Sequence, residues 1–134
     1  MHSQTILCVD DEKSILSGLH QQIMSEYGER FDVEMASSGD EALEVLEELK
    51  EAGVSIPLVI TDQMMPGMKG HELIDRIQSL FPKTCCVLLT GYAESEVLQE
   101  LAKNKVLRCL NKPWDSKEII SVINEACERQ DSLN

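Results

Sequence analysis

The stretch "VITDQMMPGMKG", from Val59 to Gly70, joins an apolar, strand-forming run to a tight turn and the start of a helix. Pro66 cannot continue a strand ladder, and Gly67 and Gly70 suit a loop that bends sharply before a helix. The sequence therefore predicts a strand, a short loop and a helix in succession. It also predicts that Asp62 lies at the tip of the strand rather than within it.

The same succession of strand and helix recurs along the chain and gives five β-α units. The predicted strands are "TILCVD", "FDVEMA", "LVIT", "CCVLLT" and "VLRCL". Ser38 or Asp40 is the expected cap of the second helix. The five predicted helices carry apolar residues at helical spacing, which are Ile15, Leu16, Leu19 and Ile23, then Ala42, Leu43, Leu46 and Leu49, then Leu73, Ile74, Ile77 and Leu80, then Val97, Leu98 and Leu101, and finally Ile119, Ile120, Ile123 and Cys127.

Continuous apolar strands that are each followed by a helix indicate a parallel sheet covered on both faces. At 134 residues with 43% hydrophobic content, the chain can bury one core. We therefore predict a single α/β domain over residues 1–134, with a five-stranded parallel sheet in a doubly wound, three-layer fold. Only the last residues, from about 130 to 134, are expected to fray.

The composition also limits the partners of the chain. Its net charge of -12, from 24 acidic and 12 basic residues, would repel nucleic acids and anionic membranes. The longest apolar stretches are too short to span a bilayer, and acidic residues interrupt the N-terminus before a secretory signal could form. We expect a soluble, cytoplasmic protein that binds neither nucleic acid nor membrane directly.

The cysteines and histidines indicate neither a disulfide framework nor a metal site. The five cysteines are scattered, and most lie in strand-like runs where a thiol packs as a small hydrophobe. Cys85 and Cys86 cannot chelate one ion well, because adjacent strand residues point to opposite faces. The histidines His2, His20 and His71 have no partner at metal-ligand spacing, so we expect them at the surface or in caps.

Polar residues follow the predicted strands at the ends where ligands bind in open α/β sheets. Asp10 and Asp11 follow the first strand, Asp62 the third, Thr90 the fourth and Lys112 the fifth. Three carboxylates at one edge repel one another unless a cation lies among them, and oxygen ligands suit Mg²⁺ better than a transition metal. The sequence therefore predicts a magnesium site.

An ionised Asp beside Mg²⁺ can attack phosphorus in line and form an aspartyl phosphate. Thr90 and Lys112 are then the hydroxyl and the cation that share the phosphoryl oxygens with the metal. A simpler interpretation is that Asp10 and Asp11 cap the first helix, Thr90 belongs to a turn and Lys112 is solvated. That interpretation suits each residue alone, but it explains the five together poorly.

The motifs "VDDE", "TDQMMPGMKG", "LLTGYA" and "NKPWD" closely resemble the receiver domain of two-component response regulators, over essentially the whole chain. The resemblance implies a flavodoxin-like sheet with strand order 2-1-3-4-5. It implies that Asp62 is the phosphoacceptor, Asp11 a direct metal ligand and Asp10 the acid that holds metal-bound water. The backbone carbonyl of Met64 would complete the metal ligands.

The resemblance further implies that Thr90 is the switch hydroxyl, that Lys112 pairs with the phosphoryl group, and that the Lys112-Pro113 bond is cis. A histidine kinase or phosphotransfer protein would donate the phosphoryl group, and a downstream effector domain or protein would read the phosphorylated state of this phosphorelay component. The chain would catalyse only its own phosphorylation and dephosphorylation, and is not otherwise expected to be an enzyme.

Two positions depart from the family pattern. Cys109 stands where receivers commonly carry Tyr or Phe, so either a smaller rearrangement of the fourth helix and fifth strand carries the signal, or Tyr92 or Trp114 replaces the aromatic residue. Met64 and Tyr92 occupy the positions that tune self-hydrolysis, and neither is suited to hold an attacking water. We therefore expect slow self-dephosphorylation.

Other functions fit the sequence less well. A haloacid-dehalogenase-type phosphatase needs a second Asp where this chain has Met64, and a flavodoxin-like flavin module needs a hydroxyl-rich loop after the first strand. A receiver-like scaffold that binds a partner without phosphorylation remains an alternative. So does a receiver cut from a larger regulator, such as a cyclic-di-GMP phosphodiesterase.

Overall fold

A five-stranded parallel sheet lies at the centre of the computed structural model, which describes residues 3–91 and 106–133. The strand order is β2-β1-β3-β4-β5, as predicted, and every neighbouring pair is parallel. The predicted helix with Val97, Leu98 and Leu101 lies outside the described residues. The elements are β1 (Gln4–Val9), α1 (Lys13–Tyr27), β2 (Asp32–Ala36), α2 (Gly39–Glu51), β3 (Ser55–Asp62), α3 (Gly70–Leu80), β4 (Cys85–Thr90), β5 (Arg108–Asn111) and α4 (Ser116–Leu133).

Helices cover both faces of the sheet, which explains the continuous apolar strands. Side chains alternate along β1, so that Ile6 packs with α1 and α4 while its neighbour Leu7 packs with α2 and α3. Ile6 and Leu7 are both buried, because helices cover the two faces of the sheet at β1. The three-layer, doubly wound prediction is confirmed.

The adjacent cysteines of β4 follow the same alternation. Cys85 packs against the core cluster of α1 and α4, and Cys86 belongs to the cluster of α2 and α3. None of the five cysteines forms a disulfide bond. Burial raises the pKa of Cys8 and of Cys86 to about 12, so both thiols stay protonated and unreactive near neutral pH.

The start of α2 shows which of two expected caps is used. Ser38 is the N-cap, and its Oγ accepts a hydrogen bond from the backbone N–H of Glu41 at 3.1 Å. The Glu41 carboxylate accepts one in return from the N–H of Ser37 at 2.8 Å. Asp40 instead lies in the first turn, where its negative charge favours the helix dipole.

The connection between β3 and α3 corrects one detail of the sequence prediction. Asp62 is the last residue of β3 and pairs with Leu89 of β4, so it lies inside the ladder rather than beyond it. The loop then turns at Gly67, whose φ of 78° a residue without a Cβ adopts freely. Its middle is anchored by Met65, which is buried in the core.

The C-terminal helix α4 is described as far as Leu133. The fraying expected from about residue 130 stays a prediction. Cys127 packs into the core, and the side-chain amide of Gln130 donates a hydrogen bond to the carbonyl of Lys83. These contacts hold the last turns against the sheet. Within residues 3–91 and 106–133, no helix combines the length and the apolar character that crossing a membrane requires.

Candidate metal centre at the carboxyl edge of the sheet

Four parallel strands bring the predicted site residues to one edge of the sheet. Asp10 follows β1, Asp62 and Thr90 end β3 and β4, and Lys112 follows β5. The register places the end of β3 beside the end of β4, and Thr90 beside Asn111. Residues that are as many as 102 positions apart in sequence therefore meet.

Lys112 joins two of the acidic side chains. Its Nζ lies 2.9 Å from Oδ2 of Asp10 and 2.9 Å from Oδ1 of Asp62. The Lys112 side chain is 21% exposed, and those of Asp10 and Asp62 are 0% and 7% exposed. The backbone N–H of Lys112 also donates to the carbonyl of Thr90 at 2.8 Å, and the Lys112-Pro113 bond is cis. Lys112 is therefore a partly buried ion-pair partner and not the solvated lysine of the simpler interpretation.

The three predicted carboxylates form one cluster. Oxygen atoms of Asp10, Asp11 and Asp62 all lie within 4.8 Å of one another. Asp10 and Asp62 are buried, whereas Asp11 is exposed. The second oxygen of Asp10 accepts a hydrogen bond from the backbone N–H of Glu12, the N-cap of α1, at 2.9 Å. Asp10 therefore also supports the helix start, as the simpler interpretation proposed.

The donor set of this cluster fits a divalent cation. Among the described residues, the ammonium of Lys112 pairs with two of the three clustered carboxylates, those of Asp10 and Asp62, so negative charge remains uncompensated. Carboxylate oxygens are the ligands that Mg²⁺ prefers, and the exposure of Asp11 leaves room for coordinating water. The three aspartates could hold the ion, while ligation by the Met64 carbonyl stays a prediction.

The pKa values of Asp62 and Lys112 are shifted by burial and by the charges around them. Burial raises the pKa of Asp62; the hydrogen bond from Lys112 opposes that rise, and the charge of Asp10 adds to it. Burial acts to lower the pKa of Lys112, but its hydrogen bonds and charge interactions with Asp10 and Asp62 outweigh burial and raise that pKa. Both directions indicate that additional positive charge would stabilise the site.

Thr90 supplies a buried hydroxyl at the end of β4, on the same edge of the sheet as this cluster. Its residue exposure is 1%, and its Oγ1 has no hydrogen-bond partner among residues 3–91 and 106–133. A buried hydroxyl without a partner is costly, because it loses its hydrogen bonds to water. Thr90 is therefore able to donate to an oxygen that enters the site.

Cys109, which stands at the usual aromatic position, and Trp114, one of its two expected replacements, lie in different surroundings. Cys109 is half-buried in β5 and packs against the core cluster of α2 and α3, where burial raises its pKa. Trp114 packs against the opposite cluster, and its indole N–H donates to Oε1 of Gln22 in α1 at 2.9 Å. Tyr92 lies outside the described residues.

Gln63 was not among the predicted site residues, and His71 was expected at the surface or in a cap. In the structure, the side-chain amide of Gln63 forms hydrogen bonds with the ring and the backbone N–H of His71, across the loop between β3 and α3. Gln63 precedes the loop and His71 lies in α3, so no strand or helix periodicity relates them and only the closed loop reveals the contact.

The fold and this cluster define a doubly wound α/β domain with an acidic centre in which Lys112 forms ion pairs with two aspartates. The sequence profile of the response regulator receiver domain matches residues 6–124. Since this match covers most of the chain, the protein belongs to the response regulator receiver domain family.

Individual relatives agree with this assignment. The uncharacterized transcriptional regulatory protein YesN of Bacillus subtilis (strain 168) is 36% identical over 120 residues, which cover 90% of this chain and 31% of YesN. Sporulation initiation phosphotransferase F of the same organism is 27% identical over 125 residues, covering 93% of this chain and 94% of that protein. The crystal structure of a response regulator receiver domain protein from Clostridium thermocellum has a TM-score of 0.87 at 28% identity, with 98% and 99% of the two chains covered.

The lengths of the relatives differ widely. The chain spans 31% of YesN and 13% of a Brucella abortus sensor kinase that it also matches. The receiver domain of two-component signalling thus occurs in regulators and in kinases.

Proposed function

We propose that the protein is a phosphorylation-dependent switch of a two-component system and that Asp62 accepts the phosphoryl group in the presence of Mg²⁺. The observation that supports this most strongly is the position of Lys112, whose Nζ lies 2.9 Å from both Asp10 and Asp62. A cation held at this place by one carboxylate is ready to pair with a phosphoryl group on the other. The hydroxyl of Thr90, which has no hydrogen-bond partner among the residues that the structure describes, gives the same group a second donor.

The proposed reaction transfers a phosphoryl group from a phosphohistidine of a histidine kinase or phosphotransfer protein. A carboxylate oxygen of Asp62 attacks phosphorus, and the new O–P bond forms as the P–N bond to the donor imidazole breaks. The imidazole leaves and takes up a proton from solvent. Mg²⁺, when bound, supplies positive charge that offsets the charge on the transferred oxygens. The protein catalyses only its own modification in this scheme.

The consequence of phosphorylation follows from the two donors beside Asp62. Lys112 and Thr90 would turn toward the phosphoryl oxygens, which changes the ends of β4 and β5 and shifts the population toward an active conformation. An effector domain or protein that binds this conformation better would receive the signal. We place this exchange in the cytoplasm, where kinases of two-component systems present their phosphohistidine.

Incubation with Mg²⁺ and acetyl phosphate should add one phosphoryl group to the wild type and none to the Asp62→Asn variant. Asparagine has nearly the same shape as aspartate but lacks the nucleophilic carboxylate. Intact-mass spectrometry measures the product directly. Thr84→Val, at the opposite end of the sheet, is a matched control that should be phosphorylated like the wild type.

A negative result with acetyl phosphate is followed by the same measurement with a matched histidine kinase. If neither donor modifies the wild type, the phosphorylation-independent scaffold replaces the switch as the leading function. Equal modification of the wild type and Asp62→Asn would place the phosphoryl group on another residue.

Slow self-dephosphorylation is a separate prediction and rests on Met64. Its side chain is 52% exposed beside Asp62 and offers no strong hydrogen-bond group to an attacking water. In Met64→Asn, the amide can hold that water with a hydrogen bond worth about 0.5 to 1.5 kcal/mol, so hydrolysis should be roughly 2- to 10-fold faster. Loss of the added mass with time measures the rate. Equal decay in the wild type and in a Met64→Leu control is expected, and equal decay in Met64→Asn contradicts the prediction.

A further inference from the structure

Gln63 lies between the proposed phosphoacceptor and Met64, and its polar side chain is buried. The residue is 5% exposed. Its Oε1 accepts a hydrogen bond from the backbone N–H of His71 at 2.9 Å, and its Nε2 lies 2.7 Å from Nδ1 of the same histidine. Both ends of the amide are thus bound to one residue in the first turn of α3.

The hydrogen-bond pattern assigns the form of the imidazole. Since Oε1 of Gln63 accepts from a backbone N–H, its NH₂ group is the one that faces the His71 ring. Nδ1 must therefore accept, and the ring proton of this neutral imidazole is on Nε2. The contact consists of two directed hydrogen bonds, not merely of proximity.

The backbone of Gln63 is held as firmly as its side chain. Its N–H donates to the carbonyl of Leu89 in β4 at 3.0 Å, and its carbonyl accepts from the N–H of Gly70 at 3.0 Å. Gln63 therefore bonds to the neighbouring strand and to the first two residues of α3 at once. The two ends of the intervening loop, residues 64–69, are joined at this point.

The loop has a second anchor in its middle. Met65 is 1% exposed and packs in the core cluster of α2 and α3. Met64 lies between this anchor and Gln63, and its own side chain points largely into solvent. The conformation of its backbone is therefore set by the residues on either side. Met65 accepts one long hydrogen bond at its carbonyl, from Nζ of Lys69 at 3.5 Å. Gln63 makes the shorter bonds across the loop, at 2.9 Å to the N–H of His71 and at 3.0 Å to that of Gly70.

We propose that Gln63 and His71 are positioning residues, which fix the start of this loop so that the Met64 backbone is held beside the carboxylates of Asp10, Asp11 and Asp62. The inference rests on the proposed function, because it assumes that these carboxylates bind Mg²⁺. Neither side chain is required to touch the ion or the phosphoryl group. Their effect is on the geometry of the centre, and so on the affinity for the metal.

The first test is the dissociation constant of Mg²⁺, measured by isothermal titration calorimetry on the full chain. Gln63→Leu keeps the approximate volume and removes both side-chain hydrogen bonds. Loss of these ordering contacts should raise the Kd roughly 2- to 10-fold. His71→Leu should give a smaller rise, because its backbone N–H can still donate to Gln63. The double variant should have nearly the same Kd for Mg²⁺ as Gln63→Leu alone, because both substitutions remove the same contact.

Thr84→Val is the matched control for a general loss of stability. The Thr84 hydroxyl is also buried and donates to the carbonyl of Ile56 at 2.7 Å, but it lies before β4, at the opposite edge of the sheet. Its removal should lower the free energy of unfolding and leave the Mg²⁺ affinity of the folded protein unchanged. A purely structural role of Gln63 predicts the same outcome for Gln63→Leu.

Amide hydrogen exchange gives a readout that needs no metal. The loop amides at residues 64, 65 and 67–69 should exchange faster in Gln63→Leu than in Thr84→Val at equal overall stability. Should Gln63→Leu fail to fold by circular dichroism, His71→Leu, which replaces a half-buried side chain, carries both comparisons.

The outcomes separate this inference from the proposed function. A wild type that binds Mg²⁺ while Gln63→Leu binds it equally well, with unchanged loop exchange, overturns the positioning role alone. A wild type that binds Mg²⁺ but gains no phosphoryl group overturns the proposed function and leaves the positioning role supported by the affinities. A wild type that binds no Mg²⁺ overturns both.

Discussion

Replacing Lys112 with methionine should lower the free energy of unfolding by about 3 kcal/mol in the absence of Mg²⁺. The side chains of Asp10 and Asp62 are 0% and 7% exposed, and the ammonium is 2.9 Å from each. Methionine occupies similar space but leaves two buried carboxylates without a cation, which is far costlier than losing an exposed ion pair. Urea unfolding at neutral pH, followed by circular dichroism, measures the change.

Two comparisons identify the cause of that loss. Lys83→Met alters an exposed lysine at the other end of the sheet and should change stability by less than about 0.5 kcal/mol. Adding Asp62→Asn to Lys112→Met should restore part of the lost stability, because one of the stranded charges is removed. Mg²⁺ should also restore part of it. If Lys112→Met behaves like Lys83→Met, the carboxylates are already well compensated and the charge argument is wrong.

Gly70→Ala should destabilise the protein by about 2 to 3 kcal/mol and weaken phosphorylation of Asp62. A Cβ at this position would collide with the carbonyl oxygen of Asp62, and it would lie 2.9 Å from Cα of Gln63 and 2.8 Å from Cδ1 of Leu88. Two of these three are backbone atoms, so either the end of β3 or the start of α3 must move. Both changes disturb the residue that is proposed to react.

The matched control for this substitution is Gly18→Ala. Gly18 lies within α1, where an added Cβ meets nothing within 4 Å, and alanine should stabilise the helix by about 0.5 to 1 kcal/mol. Urea unfolding measures both variants, and the initial rate of mass gain with acetyl phosphate reports the site. Opposite signs for the two alanines are expected. A Gly70→Ala variant as stable as the wild type would show that the β3-α3 junction adjusts easily.

Much of the fold could be predicted because local sequence patterns and the sheet agree. Both Ile6 and Leu7 had to be apolar in a strand covered on two faces, and the run that contains them is continuous. The helices follow from their apolar spacing, as in Leu73, Ile74 and Ile77, which are all buried. The packing of the last turns of α4 was harder to predict, since the contact between Gln130 and Lys83 joins residues 47 positions apart.

The membership of the candidate site could also be predicted, since parallel strands carry their last residues to the same edge. Asp10, Asp62, Thr90 and Lys112 are brought together by this rule alone. The sequence predicted that the strand ends just before Asp62, whereas Asp62 is the last residue of β3. Its pairing with Leu89 depends on the neighbouring strand and could not be predicted locally.

What the sequence alone determined is therefore the order of strands and helices, the burial of both sheet faces and the set of residues at the carboxyl edge. Only the tertiary structure decided that Lys112 bridges two carboxylates, that Asp10 is buried while its neighbour Asp11 is exposed, and that Gln63 binds His71. Spacing along a chain sets which side of a strand or helix a residue occupies. Distances of a few ångströms between side chains depend on how distant segments pack, and that packing is settled only when the whole core closes.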